Sequence, residues 1–99
     1  MAKLTFKNSN GTSFHGVSIS TTVSKLREVI GNPQSEENSG DDKVNFDWNC
    51  ETIEGDVFTI YDWKEYRRIS ENETIDFHIG GNDKHICNVA KSELESQLR

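Results

Sequence analysis

A chain of 99 residues with a formal net charge of −6 is one domain's length and lacks the basic footprint that phosphate neutralisation needs. That balance argues against direct nucleic-acid binding, and the acidic residues are scattered rather than set in the regular rows of a phosphate mimic. Hydrophobic content of 32% is low, yet nine aromatic residues and a single proline point to a thin folded domain over residues 1–99 rather than to disorder.

Two cysteines, Cys50 and Cys87, lie far apart and show no metal-ligand spacing. No apolar run near Met1 resembles a signal peptide, and no segment has the length and apolarity of a membrane span. The expectation is a soluble chain in a reducing, intracellular setting, with no membrane contact and neither cofactor nor metal.

In chain order, Lys3 to Lys7 alternates Leu4 and Phe6 with polar neighbours and reads as a first strand. Asn10-Gly11 is hairpin-turn chemistry, and Phe14, Gly16, Val17 and Ile19 suggest a second strand. The turn between the two predicts that they pair as a hairpin. Ser20, Thr21 or Thr22 can cap a helix over Val23, Leu26, Val29 and Ile30, which Gly31 and Pro33 end. Residues 34–42 contain no apolar side chain and read as a mobile acidic loop, without the ordered ligand spacing of a calcium site.

Lys43 to Cys50 then alternates cleanly, with Val44, Phe46, Trp48 and Cys50 on one face. Asp56 to Lys64 returns as another strand, placing Phe58 and Ile60 opposite Val57, Thr59, Tyr61 and Trp63. A polar turn leads to Ile75, Phe77 and Ile79, which alternate with Asp76 and His78. After Gly80-Gly81, Asn82 or Asp83 can cap a final helix with Ile86, Val89, Ala90, Leu94 and Leu98 on one side. The order β-β-α-β-β-β-α predicts an α+β fold: an antiparallel sheet of about five strands with both helices packed on one face.

Such a sheet leaves its other face wet, and here that face would carry Asp47, Asn49, Thr59, Tyr61, Trp63, Asp76 and His78, with Lys64 and Arg67 at its margin. Aromatic side chains stack on nucleobases or anchor protein interfaces, and Lys or Arg neutralise phosphate. A glycine pair entering a helix would let backbone N–H groups approach an anion. Tyr61, Trp63, Lys64, Arg67, His78, Gly80 and Gly81 are therefore the candidate ligand- or partner-binding residues. The partner is a protein or a nucleotide-like, phosphorylated small molecule. An exposed aromatic face also invites self-association into a homo-oligomer. Catalysis has less support: His78 could pair with Asp62 or Asp76, but no hydroxyl or thiol nucleophile stands in recognisable context, so no catalytic residue is assigned.

The run Thr59-Ile60-Tyr61-Asp62-Trp63-Lys64 followed by His78-Ile79-Gly80-Gly81 resembles the signature of a family of small uncharacterised proteins of bacteriophages and marine viruses. Leu26, Gly31 and Pro33 match a Leu…Gly-x-Pro segment of that family, and Trp48 matches its Trp-bearing strand; the similarity spans roughly residues 14 to 98. One departure is Phe77, where a Trp often precedes the His. The resemblance implies a viral accessory protein in the cytoplasm of an infected host cell. There it would counter a host defence by binding a host protein or by sequestering a nucleotide signal.

Overall fold

Period-two alternation builds the centre of the molecule. In the computed structural model, which describes residues 1–37, 39–41 and 43–99, the chain runs in order through eight elements. It passes through β1 (Lys3–Leu4), β2 (Ser13–Thr21), α1 (Val23–Val29) and β3 (Ser35–Glu36), then β4 (Phe46–Glu51), β5 (Val57–Tyr61), β6 (Ile75–Gly81) and α2 (Lys84–Gln97). The strands form one antiparallel sheet in the order β1-β4-β5-β6-β2, with β3 also paired to β4. This is the α+β architecture expected from the sequence. Of the acidic loop at 34–42, Asn38 and Asp42 lie outside the described residues, and Ser35–Glu36 forms the short strand β3 against Phe46 and Asp47.

One face of the sheet carries the core. Phe46, Trp48 and Cys50 of β4, Phe58 and Ile60 of β5, and Ile75, Phe77 and Ile79 of β6 are all buried. Full burial of side chains of this kind is worth about 1.5–3 kcal/mol each. Trp48 meets Phe77 edge-on at 5.8 Å, and its indole N–H donates to the Gly31 carbonyl at 3.0 Å. That bond fixes the end of α1 over the sheet. Thr22 caps α1 by accepting the Lys25 N–H at 3.0 Å, and Asp83 caps α2 by accepting the Ile86 N–H at 2.8 Å. α2 lies over β2 and β6 through Cys87, Ala90 and Leu94. Its Gln97 amide donates to the Val29 and Ala2 carbonyls at 3.4 and 3.1 Å, which brings both helices together on the same face.

The expected β1–β2 hairpin does not form. β1 pairs with β4 at one edge of the sheet, and β2 pairs with β6 at the other. Asn10-Gly11 does turn, with the Thr12 N–H donating to the Ser9 carbonyl at 3.1 Å and Gly11 at φ +84°. The strand before it, however, is drawn to β4, where Lys3 and Lys7 reach Glu51 at 3.6 and 2.6 Å. Phe6 is left fully exposed, and this end of the chain meets the core through the buried Ala2 and the partly buried Leu4.

β4 and β5 are both shorter than alternation suggests, and Asp62 is the reason. It shares the parity of Phe58 and Ile60, so the carboxylate points to the core side and is fully buried. There it accepts from the Asn45 N–H at 2.9 Å, the Phe46 N–H at 2.8 Å and the Asn45 side-chain amide at 3.2 Å. With both backbone N–H groups turned to the carboxylate, the β4–β5 ladder ends at the Asp47–Tyr61 pair. Asn45 extends the knot by donating to the Arg67 carbonyl at 3.0 Å and accepting the Gly40 N–H at 3.2 Å. Gly40, at φ +85°, lies so close to Arg67 that a Cβ there would stand 2.8 Å from the Arg67 Cα.

Replacing Asp62 by Ala strands three buried donors, and a loss of about 3 kcal/mol of unfolding free energy is expected. The exposed Ser20→Ala change, which removes a hydroxyl bonded to Asp76, should cost under about 1 kcal/mol. Urea titrations of the two variants measure both, with an unchanged slope showing that only stability has moved.

Candidate functional site

The face opposite the helices is built by register. Antiparallel pairing places Asp47, Tyr61, His78 and Ser18 in one row across β4, β5, β6 and β2, and Asn49, Thr59, Gly80 and Phe14 in the next. Paired residues share a face, so two rows of side chains converge on the open surface.

At the centre stands His78. The Phe14 ring stacks on it with centroids 3.9 Å apart and planes 12° from parallel. Trp63 stacks on it at 6.2 Å and 26°, and Tyr61 meets it edge-on at 5.4 Å. Tyr61 and Trp63 also touch edge to face at 6.1 Å. Trp63 remains 39% exposed and Phe14 45%, which makes the cluster an outward platform rather than a second core. The ammonium groups of Lys43 and Lys64 lie over the Trp63 ring at 5.9 and 5.6 Å. Cation–π contacts of this exposed kind are worth about 0.5–1 kcal/mol each.

Burial pushes the His78 imidazole below its ordinary pKa, while the nearby Asp76 carboxylate pulls weakly the other way. The Tyr61 phenol is raised, chiefly by burial and further by Cys87 and Asp47. Asp47 is raised by burial and by repulsion from Asp62. It lines a groove of about 420 Å³ next to the platform, together with Asn49, Thr59, Tyr61, Ser13 and Ser35. The groove is polar, and among the described residues its one charge is the Asp47 carboxylate.

The candidate residues read from the sequence divide accordingly. Tyr61, Trp63, Lys64 and His78 come together. Arg67 is engaged elsewhere: its guanidinium binds the Glu73 carboxylate and reaches Glu65 at 3.1 Å. Gly80 and Gly81 are strand residues of β6, not a helix entrance. A Cβ on Gly80 would lie 2.6 Å from the Thr59 hydroxyl, so this glycine flattens the open face beside Phe14 and Tyr61. Gly81 faces the helix side, where a Cβ would stand 2.9 Å from the Cys87 sulfur. The start of α2 is occupied by the Asp83 carboxylate, which closes that position to an anion.

Two members of the platform escape a reading by local pattern. Phe14 shares parity with Ser18, not with the buried Val17 and Ile19, and that parity is the signal that places it on the open face. Lys43 precedes a strand and has no signal in the sequence. Among the described residues, catalytic groups do not converge. Asp62 is sequestered by Asn45 and Phe46, and Asp76 is bonded to the Ser20 hydroxyl. The Cys50 thiol is pushed up to about 12 by burial, and Cys87 is raised for the same reason. Among the described residues, no three His, Cys, Asp or Glu side chains group as metal ligands, and no helix is long and apolar enough to cross a membrane.

No protein-family model, curated protein or solved structure matches this chain.

The depressed His78 pKa gives a pH dependence with a definite sign. The ordinary imidazole value is 6.5, so between that pH and the lower folded value the unfolded chain binds the extra proton. The stability associated with neutral His78 is therefore complete above 6.5 and declines as pH falls through the window below it. His78→Gln should remove this component, as read by thermal unfolding across the range. An imidazole NMR titration of the native chain should place the His78 midpoint below 6.5.

Proposed function

We propose that this chain is a small, non-catalytic binding protein that docks a partner protein through the platform of Phe14, Tyr61, Trp63 and His78. We further propose that it serves a virus as an accessory factor, countering a host defence process in the cytoplasm of the infected cell. The observation that carries the binding reading is the exposed ring stack itself. Three aromatic rings and an imidazole are held in fixed mutual geometry on a sheet face that the protein's own helices do not cover. Trp and Tyr dominate the energetics of protein interfaces because they bury large rigid surfaces at low entropic cost. The viral setting rests on the resemblance of Thr59–Lys64 and His78–Gly81 to small phage and marine-virus proteins.

A second reading, sequestration of a nucleotide-like or phosphorylated small ligand, draws support from one observation. Lys43 and Lys64 bracket Trp63, so a stacked base and a nearby phosphate could be served together. Asp47 weighs against a phosphate in the adjoining groove. A hydrolase using His78 with Asp62 or Asp76 has least support, because both carboxylates are bonded to other groups.

Immobilised protein should retain a discrete host protein from an extract. Trp63→Ala and Phe14→Ala should each reduce that capture at least tenfold while leaving the circular dichroism spectrum unchanged. Thermal-shift assays with nucleotides and cyclic nucleotides should show no stabilisation. A large shift abolished by Trp63→Ala would transfer the function to the small-ligand reading.

A further inference from the structure

Among the described residues, β2 has a neighbouring strand on one side only. Its first half is guarded. The register shifts between Phe14 and Ser18, Gly16 takes φ +81°, and the His15 ring lies 3.1 Å from the Gly81 carbonyl. Its second half, Ser18–Thr21, pairs regularly with β6 and carries none of the charges or prolines that blunt an exposed edge. A groove of about 430 Å³ opens beside it, walled by Ser18, Ile19 and Ser20 of the strand and by Lys91, Glu95, Leu98 and Arg99 from the helix side.

We propose that this edge takes a second copy of the same chain. β2 of each copy pairs antiparallel about a twofold axis beside Ile19, so that one sheet runs through both, and α2 packs against the partner copy's α2.

Spacing and charge both favour a second copy. Neighbouring strands stand about 4.8 Å apart, and α2 lies over β2 and β6. Two helices so placed on either side of the axis are separated by two strand spacings, or about 10 Å. Packed helices stand 8–10 Å apart, so joining the strands brings the helices into contact without adjustment. Lys91 and Glu95 are one helical turn apart and form no ion pair among the described residues. With the twofold axis passing midway between them, Lys91 of each copy faces Glu95 of the other. A twofold interface requires that self-complementarity, and an unrelated peptide would have no need of it. Leu98, partly buried and lining the same groove, supplies apolar surface between the helices.

Sedimentation equilibrium of the full chain tests this, with a mass of twice 11.3 kDa expected as concentration rises. Lys91→Glu and Glu95→Lys should each weaken the dimer about tenfold, because the axis repeats every change. The double variant, with the charges exchanged, should recover the original affinity. Amide exchange should show protection at Ser18–Thr21 that grows with concentration. A monomer at every concentration up to the solubility limit overturns the proposal. So does a dimer that ignores Lys91→Glu and is lost with Trp63→Ala, since that would place the interface on the aromatic face. Circular dichroism of each variant confirms that folding is intact, which Lys91 and Glu95 should not disturb.

Discussion

The buried carboxylate of Asp62 is the constraint on which the open face depends. Taking a carboxylate out of water costs several kcal/mol unless donors replace the lost hydration. Here two backbone N–H groups and an amide surround it, all from Asn45 and Phe46. One group thereby ends two strands at once and ties the loop after β5 to the loop before β4. Asn45 carries the tie onward to Gly40 and to the Arg67 carbonyl, and the Lys64 N–H donates to the Lys43 carbonyl at 2.8 Å. The loop so held is a strained one: Lys64 and Tyr66 adopt φ of +56° and +50°, a region that non-glycine residues enter only when surrounding bonds enforce it. Trp63 precedes the first of these residues, so its position over His78 follows from the knot rather than from strand pairing.

Register does the rest. Tyr61 and His78 face each other because β5 and β6 pair there, and Phe14 joins them because the bulge in β2 absorbs two residues without changing parity. His78 is thus flanked by rings from separate segments, and the same crowding that stacks them desolvates its imidazole and favours the neutral form. Neutral His78 presents an aromatic plane with little charge. The positive charge of the platform comes instead from Lys43 and Lys64 around Trp63.

Much of this was legible in the sequence where side-chain period and burial agree. The alternation of Phe46, Trp48 and Cys50, of Phe58 and Ile60, and of Phe77 and Ile79 identified the core face, and Thr22 and Asp83 were among the readable helix caps. Parity then exposed Tyr61 and His78 on the other face. Long-range choices were not legible. Asn10-Gly11 makes a turn but cannot announce that Glu51 attracts Lys3 and Lys7 and takes β1 to the far edge. Gly80-Gly81 looks like a helix entrance, yet each glycine is required by a neighbour across the fold, Thr59 on one face and Cys87 on the other. Asp62 reads in the sequence as a candidate acid–base partner of His78, although the parity of Phe58 and Ile60 assigns it to the core side. Cys87 is likewise core, donating its thiol to the Ile79 carbonyl at 3.6 Å.

The two determinants of the platform have different physical character, and that bears on how it can bind. Tyr61 and His78 belong to a continuous backbone ladder with Phe14 stacked on it, so their geometry is as rigid as the sheet. Trp63 stands on a strained loop restrained by one buried knot, and its ring is braced by His78 on one side and by two flexible lysine stems. A partner therefore meets a surface that is already assembled and loses little side-chain entropy in ordering it, which is the usual advantage of a preorganised aromatic anchor. What freedom the platform keeps is concentrated at Trp63, where the contacts are stacking and cation–π rather than ladder hydrogen bonds. The rigid part fixes where a partner docks, and the Trp63 margin is where its shape is accommodated.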